Sequence, residues 1–355
     1  MEVEIETKSK DTLEIPLISE DRNYWFIRTN GGKYYKSFRN NDYIAISRNE
    51  LDSNFLSGNS SDKPVTKNQV YQYYAKKHKD DEDKIAYYAN NSTRIANLLN
   101  RFIYEIKAGD IVIIPSASSE KLSFGEVIEE DIYFEKDIPL VQPKDHQNSH
   151  YCPYIKRKKI KWLKDVNKSN LEPKLYPLFL SHHAITQADP KKYAGYIDRT
   201  IDSIYIKGDN AHLILDVTEE SNINALIFAN LIKESVLSLN TIDSDIPDNT
   251  PIDSNKINIK ANVQSPGPIE FFGPIVEILL LSVIIQKTYG IKIPKFIFGR
   301  RKTSNVDTLL KELEDREFLK YKEQIEGKEP NTEIKSSIDK LKITNPVNNI
   351  NSSKT

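Results

Sequence analysis

A chain of 355 residues with 50 Lys plus Arg against 51 Asp plus Glu is close to neutral, so bulk charge selects no partner and any anion-binding surface must come from local clustering. A single cysteine, Cys152, excludes an internal disulfide framework and a zinc site made of cysteine alone. The length exceeds what one hydrophobic core usually fills, which predicts two domains and a tail.

The opening "MEVEIETKSK" has neither the basic start nor the apolar run of a secretion signal, giving the expectation of a cytoplasmic protein. Residues 22–47, "RNYWFIRTNGGKYYKSFRNNDYIAIS", hold aromatic and β-branched runs broken by "TNGG" and "RNND", and predict two or three short strands. From about 67 to 106 the period is helical. Val70, Tyr73, Tyr74 and His78 share a face, and Ile95, Leu98, Leu99, Phe102, Ile103 and Ile106 recur at spacings of three and four. Asn91 or Ser92 is the expected N-cap of the second helix. At "YEIKAGDIVIIPS", Gly109 lets the helix end, Asp110 completes a tight turn, and "IVII" enters the core as a buried strand that stops at Pro115 and Ser116. "LSFGEVIEEDIYFEK" and "IKRKKIKWLK" predict further strands. This order suits a small, partly open β-barrel with a helical insertion, ending near residue 170.

The second half alternates helix and strand: a helix over 191–206 striped by Tyr193, Tyr196, Ile197, Ile201 and Ile204, the strand "AHLILDV", a helix over 222–238, the strand "INIKANV", the helix "IVEILLLSVIIQKTY", the strand "IKIPKFIF" and a charged helix over 305–325. The fold class expected is α+β, with a β-barrel over 1–170, an α/β layer domain over 171–326 and a disordered polar tail over 327–355. "FFGPIVEILLLSVII" falls short of the roughly 20 apolar residues that a membrane span needs, so no membrane association is expected. Its polar positions share no face, which predicts a helix covered on most sides. A homo-oligomer interface through 271–290 is the alternative.

The ordered series "YWFIRTNGG", "FRNNDYIAIS", "RIANLLNRFIYEIKAGDIVIIPS", "FGEVIEEDIYF" and "KRKKIKWL" resembles the EVE-like branch of the PUA superfamily, in the form found in bacterial restriction proteins of the Mrr type, over roughly residues 22–165. The resemblance implies a pseudo-barrel with a concave pocket, which in many members accepts a flipped, modified base from DNA or RNA. It also implies that the strand ending at Pro115 and Ser116 borders that pocket.

A flipped base needs flat walls and a few fixed hydrogen-bonding groups. Trp25, Tyr24 and Tyr43 sit at strand positions that could supply walls, and Ser47, Asn91, Ser92 and Ser116 supply short polar groups. Each has a plainer reading: Trp25 and Tyr43 as barrel core, Asn91 and Ser92 as helix caps, Ser116 as the end of a strand. Lys156, Arg157, Lys158, Lys159, Lys161 and Lys164 crowd one strand, and either contact phosphate or protect a solvated edge.

No Walker A, G-x-S-x-G, H-E-x-x-H or paired C-x-x-C pattern occurs. His146, His150 and Cys152 lie close together but lack a fourth ligand, so neither a metal nor a cofactor is expected. "Glu326-Gly-Lys328" has a short nuclease-like pattern without convergent carboxylates. The expected function is a non-enzymatic sensor or specificity subunit of a bacterial anti-phage or restriction system, binding modified bases in DNA, with RNA as the alternative strand. Its second half would relay binding to an effector ATPase or nuclease. The alternatives are a Mg²⁺ nuclease using Asp209, Asp216 and Glu219, and a sensor of a nucleotide-derived small molecule.

Overall fold

The computed structural model describes residues 12–57, 63–137, 151–219, 222–243, 252–261, 267–289, 295–298 and 317–344. It divides into one unit over 22–201 and another joining 1–21 to 202–355. The strands β1 (Thr12–Ile15) and β2 (Leu17–Ile18) therefore precede the first unit in the chain but belong to the second.

The first unit runs β3 (Tyr24–Ile27), α1 (Tyr35–Asn40), β4 (Tyr43–Ile46), α2 (Ser53–Ser57), α3 (Lys67–Lys77), α4 (Glu82–Asn100), β5 (Ile111–Pro115), β6 (Lys121–Val127), β7 (Tyr133–Phe134), β8 (Lys156–Asn167), α5 (Tyr176–Phe179), β9 (Ile185–Ala188) and α6 (Pro190–Ile201). Its strands form a curled half-barrel sheet in the order β4-β8-β6-β5-β3-β9, with β7 beside β8. β3 and β5 are parallel, and a parallel pair needs a long crossover, which the inserted helices provide.

"YKSFRN" is helix rather than strand. Asn30, Gly31 and Gly32 all take positive φ, and this left-handed run turns the chain into α1 instead of a hairpin. α3 starts at a capping box between Thr66 and Gln69. α4 is capped by Asp81, whose carboxylate accepts from Lys84 N at 3.0 Å, so it begins well before Asn91 and Ser92. Those two side chains bond back to the carbonyls of Tyr87 and Tyr88 in mid-helix. α4 ends in a π-turn, Arg101–Glu105, closed by Ile106 N donating to Arg101 O at 3.0 Å.

Both faces of the sheet are buried. Trp25, Ile27, Val112 and Ile114 face the inserted helices, whereas Tyr24, Phe26, Ile111, Ile113, Leu122 and Phe124 face Leu171, Leu178, Tyr193 and Ile197. α6 covers that second face, and β9 pairs with β3, so the unit extends to Ile201 instead of ending near 170.

The second unit contains β10 (Ile204–Lys207), β11 (Asn210–Val217), α7 (Ala225–Asp243), β12 (Asn258–Ala261), β13 (Gly267–Pro274), α8 (Ile275–Thr288), β14 (Lys295–Phe298), α9 (Glu317–Gly327) and α10 (Thr332–Leu341). A five-stranded sheet runs β12-β13-β11-β10-β2, and β1 pairs with β14 in parallel. Ile204 opens a strand, so the expected helix stops at Ile201. α8 packs against β11, β13, α7, α9 and α10 and is buried from Ile278 to Gln286. Most of its apolar surface is thus occupied within its own unit. Among the described residues no helix is long and apolar enough to cross a membrane.

The expected polar tail also differs. Asn331 caps α10 by accepting from Glu333 N and Ile334 N, and Ile334, Ile338 and Leu341 bury one stripe. Three apolar residues at helical spacing anchor a segment whose average composition reads as unfolded. Residues 345–355 lie outside the described residues.

Candidate functional site

Asp110 organises the helix-to-strand junction. Its Oδ1 accepts from Asn23 N at 3.1 Å, and its Oδ2 accepts from Trp25 Nε1 at 2.8 Å and Lys107 N at 3.0 Å. Trp25, 1% exposed, is thereby held inside the sheet's core. Tyr43 is also 1% exposed; its hydroxyl pairs with Ser37 Oγ at 2.7 Å, and the Arg157 guanidinium covers its ring at 4.0 Å. Burial pushes the Tyr43 phenol up to about 12. Neither ring offers a face to a base, which corrects the expectation of a Trp25–Tyr43 pocket. Ser47 is half-buried at the end of β4, remote in role from the mid-helix Asn91 and Ser92.

The basic strand divides by parity. Lys156 and Lys158 are fully buried, on the same parity as Ile160, which is also buried. Lys158 Nζ donates to Ile106 O at 2.8 Å, Ile103 O at 3.4 Å and Glu130 O, and so caps the carbonyls that the π-turn leaves unpaired. Lys156 Nζ donates to Leu51 O at 3.2 Å and Arg48 O. Arg157 bonds Glu135 at 2.9 Å and Tyr154 O at 3.0 Å. These three cations serve the fold and do not reach phosphate. Lys159, paired with Glu129 at 3.0 Å, and Lys161 are exposed, and Lys164 is half-buried.

Burial holds both buried lysines down to about 8. Between that value and the ordinary lysine range near 10.4 an unfolded lysine keeps a proton that the folded one has lost, so each lysine's contribution to stability rises with pH there, by up to about 3 kcal/mol. The buried Cys152 thiol and Tyr43 phenol act in the opposite sense, because each ionises later when folded, and from about pH 9 they reverse the trend. Urea midpoints should therefore climb from about pH 8 to about pH 9 and then drop, and Lys158→Met should remove part of the climb. Midpoints that decline steadily from about pH 7 would contradict the buried-ammonium account.

Pro115 and Ser116 lie where two loops meet. Thr29 Oγ1 donates to Pro115 O at 2.6 Å, and Ser116 Oγ accepts from Lys121 N at 2.8 Å to close the 116–121 loop. Gly32, at φ +91°, approaches so closely that a Cβ there would lie 2.2 Å from Ala117 N. Ser118 and Ser119 are also at positive φ, so both loops hold left-handed backbone at their junction.

Beside this junction lies a polar cluster on α1, β6 and β8. Ser123 Oγ donates to Asp165 Oδ1 at 2.6 Å and bonds the Tyr35 hydroxyl at 2.7 Å. Arg39 Nε and Lys121 Nζ reach the two oxygens of Asp165 at 3.0 and 3.1 Å. Burial alone would raise the Asp165 carboxyl, but the bonds from Ser123, Arg39 and Lys121 outweigh it and hold it below the usual range. Arg39 lies 5.7 Å over the Trp162 ring. Trp162 in turn crosses Gly125, where a Cβ would meet its Cε3 at 2.6 Å. The "FGEV" and "KWL" motifs are therefore one packing unit. Tyr35, Arg39, Lys121, Ser123 and Asp165 escape a reading of the sequence because they come from three separated elements; the only local signals are "TNGG" and the Gly125–Trp162 pair.

Other candidates do not converge. Cys152 is buried, and its thiol is pushed up to about 11 by that burial, which suits a packing residue rather than a nucleophile. His146 and His150 lie outside the described residues. Asp209 is in the β10–β11 turn and Asp216 near the far end of β11, roughly 20 Å away at ~3.3 Å per residue. Glu219 pairs with Lys342 at 3.0 Å, and Lys328 Nζ donates to Thr241 O at 3.2 Å. Among the described residues no group of three or more His, Cys, Asp or Glu side chains is placed to hold a metal ion.

No curated protein matches the chain. Residues 25–181, all within the first unit, match the model of a family described as "Domain of unknown function (DUF8426)".

Proposed function

We propose that the 22–201 unit is an EVE-like reader that binds nucleic acid, DNA in the first instance, and discriminates a modified base at the rim formed by residues 29–33 and 115–121. The observation that carries this reading is the junction of two loops in left-handed backbone, over a face bearing Tyr35, Arg39, Lys121 and Trp162. Stored strain of this kind concentrates at ligand clamps, and an aromatic beside cations suits a base and its phosphates. Trp25 and Tyr43 act as scaffold in this reading. The second unit relays binding to an effector in a cytoplasmic anti-phage or restriction system.

Fluorescence anisotropy with otherwise identical duplexes of about 20 base pairs, carrying cytosine, 5-hydroxymethylcytosine or its glucosylated form, tests the proposal. The expected result is a preference of about tenfold or more for one modified duplex, corresponding to roughly 1.4 kcal/mol. Equal affinity across the series, or no retention at low salt, rejects a modified-base reader.

A further inference from the structure

We infer that Arg39 and Lys121, held on the two oxygens of Asp165 and backed by Trp162, form a phosphate-binding site that grips the strand next to the rim. This deepens the nucleic-acid reading and rests on it. The basic run of the sequence lies on β8, yet the cations of this cluster come from α1 and β6 and meet only in the folded chain.

The cluster is built rather than incidental. Arg39 uses Nε on Asp165, and among the described residues its two terminal nitrogens make no hydrogen bond. The guanidinium is fixed in place by the carboxylate on one edge and the indole beneath it, so its remaining donors are already oriented. Lys121 is half-exposed, and its own backbone N–H closes the 116–121 loop through Ser116, which ties the cation to the rim. The two cations and the one carboxylate leave a net positive charge. Asp165 does not neutralise the pair; it spaces them, and Ser123 satisfies it from below. Among the described residues the buried Trp162 Nε1 has no hydrogen-bond partner. A phosphate oxygen matches what this arrangement lacks: an acceptor of negative charge for a preformed fork.

Arg39→Gln and Lys121→Gln should each weaken duplex binding about threefold to tenfold and lower the slope of log affinity against log salt by about one. Because phosphate carries no base identity, the loss should be equal for modified and unmodified duplexes. Arg39→Lys should restore the slope without restoring full affinity, since it keeps the charge but not the fork. Each variant is first checked for a melting temperature within about 2 °C of the parent, and Lys121→Gln, at an exposed position, serves should Arg39→Gln fail that check. If the parent protein binds duplexes and neither variant alters affinity or slope, the phosphate site is wrong while the reader stands. If the parent binds no duplex, the reader fails, and pyrophosphate judges the site separately. An indole emission change on adding pyrophosphate, absent in Trp162→Phe and in Arg39→Gln, supports a site for the phosphate of a free nucleotide. No emission change in the parent overturns the site.

Discussion

Asp110→Ala is expected to lower the melting temperature of the 22–201 unit by about 8–16 °C, from a loss of roughly 4 kcal/mol. The carboxylate is 4% exposed and accepts from Asn23 N, Lys107 N and Trp25 Nε1. Removing it strands three donors that water reaches poorly, and each stranded donor costs about 1–3 kcal/mol. The effect is larger than that of a typical turn residue because the three donors belong to the start of β3, its buried indole and the turn before β5. Losing the acceptor uncouples the parallel β3–β5 pair at its origin. Asp110→Asn keeps the volume but offers one acceptor oxygen instead of two, so it should recover only part of the loss. Thermal melts followed by near-ultraviolet circular dichroism would register the change at Trp25. A shift under about 2 °C would show that the junction does not depend on this carboxylate.

Gly32→Ala should cost about 3 kcal/mol, whereas Gly31→Ala, one residue away, should cost only about 1 kcal/mol. Both glycines have positive φ, +67° for Gly31 and +91° for Gly32, so each pays a conformational penalty on gaining a side chain. They differ in space. A Cβ on Gly31 meets nothing within 4 Å, while one on Gly32 would lie 2.2 Å from Ala117 N, 2.4 Å from Ala117 Cα and 2.8 Å from Ser116 C. Backbone atoms cannot swing aside as a side chain can, so the 115–121 loop must move. Hydrogen exchange should then quicken at Ser116 and Lys121 in the Gly32 variant and stay at parent rates in the Gly31 variant. Equal destabilisation by the two substitutions would mean that the loops do not touch. If the rim binds nucleic acid, the Gly32 variant should also lose binding beyond what its stability loss explains.

Much of the first unit is legible in the sequence. The period of "RIANLLNRFIYEI" gives a helix, "GDIVIIP" a buried strand, and "FGEV" with "KWL" two further strands, because each signal is local and repeats at the spacing of its backbone. Boundaries are less legible. Asp81 lies ten residues before Asn91 and is the stronger cap, since its carboxylate accepts from Lys84 N directly. The extent of the unit depends on Tyr193 and Ile197 covering the far face of β3 and β5, which no local pattern announces.

What the sequence by itself determined is where apolar periodicity and turn chemistry place strands and helices, and that α8 must be covered on most sides. What only the tertiary structure decided is the use of each polar residue. Lys156 and Lys158 look like solvent-facing cations in a neutral chain, but their parity with Ile160 turns them inward, where three-donor ammonium groups satisfy carbonyls left open by the π-turn and the 48–51 loop. Arg39, Lys121 and Asp165 are unremarkable in sequence and become one charged cluster because α1, β6 and β8 meet beside the rim. The physical reason is range. Helix and strand periods arise from contacts between near neighbours, whereas the partner of a charge or a hydrogen-bonding group is chosen by whatever the fold brings within about 3 Å of it.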